Sequence, residues 1–163
     1  MFPSEIIQRA EQVIKSYAHG NRKIVTAESC TGGLIASALT EISGSSDIVE
    51  RGFVTYSNEA KHEVLGVIPE LFDSVGAVSI EVAEAMAKGA IVFSHADVAV
   101  STTGIAGPTG ATPDKPVGLV FIGLATRDGL CMHYRCQFSG NRTAIRLQAT
   151  EEALRLLLSF GIK

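Results

Sequence analysis

Lys23-Ile-Val-Thr-Ala-Glu-Ser-Cys-Thr-Gly-Gly33, followed by Leu34, Ile35, Ala38, Leu39 and Ile42, is the stretch on which the fold turns. Lys23 to Ala27 is a short β-rich run bounded by polar residues and reads as a strand. The apolar residues after the glycines recur at helical spacing, so a helix opens at Thr31-Gly-Gly33 and buries that stripe. A strand that runs into a helix through a short Gly turn is half of a βαβ unit, which implies a parallel sheet.

The flanking segments extend the alternation. Ser4 is a good N-cap for a first helix carrying Ile6, Ile7, Ala10, Val13, Ile14 and Tyr17, and Gly20 closes it. After the Ser43-Gly-Ser-Ser46 turn come a strand around Val49 to Tyr56 and a short helix, capped by Asn58, from Glu59 to Leu65. Ser79 caps a further helix with Val82, Ala83, Met86, Ala87, Ala90 and Ile91 inside. Asp97-Val-Ala-Val-Ser101 reads as a central strand. Val117 to Thr126 and Leu130 to Phe138 are joined by Arg127-Asp-Gly129, a hairpin signal. A last helix starts near Ser139 to Asn141 and runs to Ser159. The expectation is an α/β fold of three layers, α/β/α. Its sheet should be mixed and mostly parallel, with a C-terminal antiparallel hairpin, in a single domain over 1–163.

A net charge of −3, with Lys and Arg scattered, gives nucleic acid or an anionic membrane no electrostatic foothold. The N-terminus lacks the basic and apolar regions of a signal peptide, and no apolar stretch is long enough to span a bilayer. Cys30, Cys131 and Cys136 are an odd set without framework spacing. They read as reduced thiols of a cytoplasmic protein, with no metal site. Cys131 and Cys136, five apart on one strand, should face opposite sides of the sheet.

Three Gly-rich segments carry the chemistry. Ser29 leaves a strand at a helix N-terminus, where the first N–H groups of the helix are expected to face the same space and could hold an oxyanion. Cys30, Thr31, Gly32 and Gly33 would then line the substrate side. Read alone, Ser-x-Thr-Gly-Gly is equally the signature of a plain helix cap. None of His19, His62, His95 and His133 sits in a Gly-rich loop or at the end of a strong strand, so a Ser-His-Asp triad is not suggested. Tyr56-Ser-Asn-Glu-Ala-Lys61 is better placed, because loops at the carboxyl ends of neighbouring strands converge on one crevice. A partly desolvated Lys61 there could take a serine proton; the other reading is a solvated helix lysine. Ser101-Thr-Thr-Gly-Ile-Ala-Gly-Pro-Thr-Gly110 should reach the same crevice, with Thr103 and Gly104 near its start. It has neither P-loop nor dinucleotide-fold spacing. Arg142, in the first turn of the last helix, is a candidate phosphate ligand or else a surface arginine.

Together these pieces resemble the CinA C-terminal domain family, the nicotinamide-nucleotide amidases. The matching stretches are Ala27-Glu-Ser-Cys-Thr-Gly-Gly33, Arg51-Gly-Phe-Val-Thr-Tyr-Ser-Asn-Glu-Ala-Lys61, Gly104-Ile-Ala-Gly-Pro108, Pro116-Val-Gly118 and Phe138-Ser-Gly-Asn-Arg142. The resemblance implies hydrolysis of the carboxamide of nicotinamide mononucleotide, without metal or cofactor. By position it makes Ser29 the nucleophile, Lys61 the general base and Tyr56 an assisting hydroxyl. Thr103 would lie near the reacting amide and Arg142 would hold the phosphate. The partner expected is thus a pyridine mononucleotide, with a homo-oligomer also open. Three alternatives remain at this level: a nucleotide-sensing module without turnover, a competence-related interaction domain, and a Cys30 thiol nucleophile.

Overall fold

In the computed structural model, which describes residues 1–161, five strands form one sheet in the order β2-β1-β3-β4-β5. The elements are α1 (Ser4–His19), β1 (Ile24–Glu28), α2 (Leu34–Thr40), β2 (Val49–Val54), α3 (Asn58–Leu65) and α4 (Pro69–Ser74). After these come α5 (Ile80–Val92), β3 (Val98–Gly104), β4 (Leu119–Thr126), β5 (Cys131–Gln137) and α6 (Arg142–Gly161). β1 pairs in parallel with β2 and β3, Glu28 lying between Val54 and Thr102. β4 is antiparallel to β3, and β5 to β4. The sheet is therefore mixed, with four of the five strands pointing one way, as the sequence implied.

Every residue of β1 is buried, because the strand is flanked on both edges and covered on both faces. Alternate residues feed two cores. Ile24, Val98 and Val100 pack with α1, α2 and α6, whereas Val25, Ala27 and Ala99 pack with α3 and α5. Cys136 joins the first cluster and Cys131 the second, so the two cysteines do face opposite sides of the sheet. The link leaving β1 covers one face and the links entering β3 cover the other. That parting of connections opens a crevice beyond the carboxyl ends of β1 and β3.

Several local expectations are corrected. Pro3, not Ser4, precedes the first helix as its cap residue, and the Ser4 hydroxyl turns to Glu5 instead. Ser57, not Asn58, caps α3, accepting from Ala60 N at 3.0 Å. Ser79 caps α5 as expected, and the Arg127-Asp-Gly129 turn joins β4 to β5. β3 runs on to Gly104, three residues past Ser101. α6 begins at Arg142, with the Asn141 side chain accepting from Ala144 N at 2.9 Å, and continues to Gly161.

One glycine fixes where α3 can lie. Gly89, buried inside α5, lets that helix touch the last turn of α3. A Cβ there would run into the Leu65 carbonyl oxygen and stand 2.9 Å from its carbon. Replacing Gly by Ala inside a helix gains about 1 kcal/mol of propensity. Overpacking against backbone costs about 1–3 kcal/mol and more when the backbone must move, so the clash wins. Gly89→Ala should lower the urea midpoint with an unchanged slope; an unchanged or higher midpoint would show that α3 yields freely.

Candidate active site

β1 ends at Glu28, and the pairing continues one residue further, Ser29 N donating to Thr102 O at 3.0 Å. The chain then folds into a tight turn. Gly32 N donates to Ser29 O at 3.0 Å, and Gly32 and Gly33 take φ of 58° and 94°, which side chains with a Cβ resist. Glu28, fully buried, turns its carboxylate to the start of α2. Oε1 accepts from Ile35 N at 2.9 Å, and Oε2 from Ala36 N at 3.0 Å and Thr26 Oγ1 at 3.2 Å. A carboxylate at a helix N-terminus is favourable, since it meets unpaired N–H groups and the positive dipole end. The arrangement corrects the expectation that the α2 donors face substrate: Glu28 occupies them.

Lys61, in the second turn of α3, is 1% exposed, and its Nζ lies 3.0 Å from Ser29 Oγ. Nζ also bonds the carbonyls of Thr55 and Tyr56, both at 3.1 Å. Thr55 N in turn donates to Glu28 O at 2.9 Å, which ties the segment leaving β2 to the end of β1. Burial holds the Lys61 amine below the ordinary lysine value. Among the described residues no carboxylate lies within ion-pair distance of it. A neutral amine has two hydrogens and one lone pair. With the hydrogens on the Thr55 and Tyr56 carbonyls, the lone pair is left for the Ser29 hydroxyl.

The structure brings together Ser29, Lys61, Tyr56, Cys30, Gly104 and Arg142 around one crevice. A cavity of about 240 Å³ is lined by Cys30, Tyr56, Gly104, Gly107, Thr109 and Arg142. Tyr56 aids Lys61 through its carbonyl; its exposed side chain instead accepts from Arg142 Nη2 at 2.8 Å. Arg142 also donates to Gly107 O at 2.9 Å, bridging two walls of the cavity. Thr103 is buried and spends its hydroxyl on Ala77 O at 2.7 Å. Thr31, fully buried, shares a 2.7 Å hydrogen bond with Thr102. Two residues went unread in the sequence: Glu28, and Arg146, which donates to Cys30 O at 3.0 Å and Thr31 O at 2.9 Å. Glu28 left one signal, a charge closing an apolar strand. Arg146 left another, an arginine four residues after Arg142 and so on the same helix face.

Among the described residues no histidine hydrogen-bonds Ser29. His62 meets Val67 O at 2.9 Å and His133 meets Glu84 at 2.8 Å. A larger cavity, about 400 Å³, lies at the other end of the strands beside Val98 and Thr126. Size does not make it the site, because Arg127 there is committed to the carbonyls of Ile91, Ser94 and Ala96. Cys30 neighbours Ser29 but packs into the core, and burial pushes its thiol up to about 12. Thiol reactivity follows thiolate fraction and access. In the native protein at neutral pH, iodoacetamide should therefore label Cys30 more slowly than the half-buried Cys131 and Cys136, as read by peptide mass spectrometry. First-order labelling led by Cys30 would revive the thiol nucleophile.

The chain matches known proteins in sequence and in fold. The family model for the CinA C-terminal domain matches residues 7–160. The chain is 53% identical over 140 residues to the nicotinamide-nucleotide amidohydrolase PncC of Enterobacter agglomerans, covering 86% of this chain and 85% of that protein. It is 51% identical over 147 residues to a competence-damage inducible protein of Caldicellulosiruptor saccharolyticus, covering 90% of this chain but only 36% of that longer one. The crystal structure of the competence/damage inducible protein CihA from Agrobacterium tumefaciens superposes with a TM-score of 0.95 at 47% identity. That match covers 98% of this chain and 97% of the other. The chain belongs to the CinA C-terminal domain family.

Proposed function

We propose that this chain hydrolyses the carboxamide of nicotinamide mononucleotide to nicotinic acid mononucleotide and ammonia, with Ser29 as nucleophile and Lys61 as general base. One observation carries the reading: a lysine amine buried to 1% exposure, without a carboxylate partner, 3.0 Å from a serine hydroxyl at a strand end. The substrate class rests on the name of the Enterobacter agglomerans relative, which aligns over most of both chains. Residues 1–163 would form one catalytic domain acting on a small molecule. Three unpaired cysteines fit a cytoplasmic setting, and no described helix is long and apolar enough to cross a membrane.

The chemistry needs only the side chains already described. Neutral Lys61 takes the Ser29 proton as Oγ attacks the amide carbon. The protonated amine then returns the proton to the departing nitrogen, and ammonia leaves an acyl-enzyme. Water, deprotonated by the same lysine, hydrolyses the ester. Arg142 and the Tyr56 hydroxyl, which are bonded to each other in the cavity lining, would hold the phosphate by charge-assisted hydrogen bonds.

Ammonia release from nicotinamide mononucleotide tests the assignment. Ser29→Ala and Lys61→Ala should each lower kcat by at least about 10³-fold. Lys61→Arg should be equally inactive, since a guanidinium does not deprotonate. Nucleotide binding without ammonia from the unaltered protein would replace the hydrolase with a sensing module.

The pH profile gives a separate check. The active form is the neutral amine, so the rate should rise with pH and level off once Lys61 has lost its proton. Burial places that plateau at lower pH than an ordinary lysine would allow. A rate flat from about pH 6 to 9 would argue against a lysine base.

A further inference from the structure

Amide hydrolysis through Ser29 needs donors for the oxygen that becomes negative in the tetrahedral intermediate. The start of α2 cannot supply them. Ile35 N and Ala36 N donate to Glu28, and Leu34 N donates to Thr31 O. The remaining donors beside the nucleophile are in the turn itself. Gly32 N is spent on Ser29 O, whereas the N–H groups of Cys30, Thr31 and Gly33 meet no protein acceptor among the described residues, the first two being nearest Ser29 along the turn.

Arg146 decides where one of those groups points. Its guanidinium reaches from the second turn of α6 and holds two successive carbonyls, Nε on Cys30 O at 3.0 Å and Nη2 on Thr31 O at 2.9 Å. The peptide joining Cys30 to Thr31 is trans, since the one cis peptide bond described is Gly107–Pro108. In a trans peptide the C=O and the N–H of the same plane point in opposite directions. Drawing Cys30 O toward Arg146 therefore turns Thr31 N–H away from α6. The cation also polarises that peptide, which makes its N–H a stronger donor. The fit is close, because a Cβ on Gly32 would stand 3.1 Å from Arg146 Nη2.

We infer that Arg146 is a positioning residue for catalysis: it clamps the Cys30 and Thr31 carbonyls so that Thr31 N–H, with Cys30 N–H beside it, forms the oxyanion hole for attack by Ser29. The inference rests on the proposed amidase chemistry and assigns no contact between Arg146 and substrate. It differs from a merely structural role in what it predicts for rate and for binding. Loss of the clamp should weaken the transition state while leaving ground-state binding nearly intact.

Two readouts separate this inference from the amidase reading. The first is ammonia release from nicotinamide mononucleotide. The second is phosphonylation of Ser29 by a fluorophosphonate, in which Oγ bonds to phosphorus, fluoride leaves and Lys61 takes the proton. The probe needs the nucleophile and the hole but no nucleotide. Arg146→Met should lower both rates by about 10²–10³-fold, with KM changed less than about threefold. Arg146→Lys, able to hold one carbonyl, should recover part of the loss. It also serves as the readout if the methionine variant does not fold.

Unchanged rates in folded variants overturn the clamp alone, as does a loss confined to KM. Labelling of Ser29 that depends on Arg146, without ammonia from the wild type, keeps the clamp and rejects the nucleotide substrate. A wild type that neither labels nor releases ammonia overturns both.

Discussion

A lysine amine taken out of water without a counter-ion is the constraint around which this structure is arranged. An isolated buried ammonium is so unfavourable that the group gives up its proton rather than its place. Burial to 1% exposure moves Lys61 in that direction, lowering its pKa from the ordinary lysine value. In its neutral form the amine still has to satisfy two hydrogens and a lone pair. The carbonyls of Thr55 and Tyr56 and the hydroxyl of Ser29 supply those partners. Each depends on the fold in turn. The Ser57 cap starts α3, the Thr55 N–H to Glu28 carbonyl bond holds that start against β1, and Gly89 lets α5 press α3 into position.

Glu28 is the counterpart of Lys61 and shows why the two do not pair. Both are buried and both sit at the crevice, yet the carboxylate is turned to the far side of β1. Two α2 N–H groups and the Thr26 hydroxyl satisfy it there. An ion pair between them would hold Lys61 charged and abolish its basicity. Sending Glu28 to the helix terminus stabilises α2, a helix of seven residues, and spares the lysine from a stabilising anion. The same placement removes the α2 donors from the crevice, so the turn between strand and helix must serve in their stead.

Much of this was legible in the sequence because periodicity reports burial. The alternation of strands and helices, the Asp-Gly hairpin and the opposed cysteines follow from periods of 2 and 3.6 residues. That Ser29 and Lys61 share one crevice was legible because strand ends in a parallel sheet converge, whereas their roles came from the family resemblance. The failures share one cause, namely that hydrogen-bond direction is a tertiary property. Thr102 and Thr103 read alike, yet β3 extends to Gly104 and sends adjacent side chains to opposite faces. One hydroxyl therefore meets Thr31 and the other Ala77. Tyr56 was read as a working hydroxyl, but it is the backbone carbonyl that holds the amine. The partners of Arg146 lie 115 and 116 residues away along the chain, beyond any local pattern.

Burial of Lys61 also bears on the second half of the proposed reaction, which a serine hydrolase acting on an amide cannot neglect. Ammonia leaves an amide only when its nitrogen is protonated, so the base that accepts the serine proton must surrender it promptly. Ordinary lysine is poor at both tasks near neutrality, being already protonated and reluctant to let the proton go. Lowering its pKa corrects the two faults together, since a weaker base is, once protonated, a stronger acid. A histidine would meet the same need with a pKa already near neutrality, but none touches Ser29 among the described residues. Desolvation lowers a lysine from its ordinary value instead, and the lowering requires that the crevice keep carboxylates away from Nζ. The clamp at Arg146 respects this requirement, because it brings no carboxylate and directs its positive charge to the Cys30 and Thr31 carbonyls.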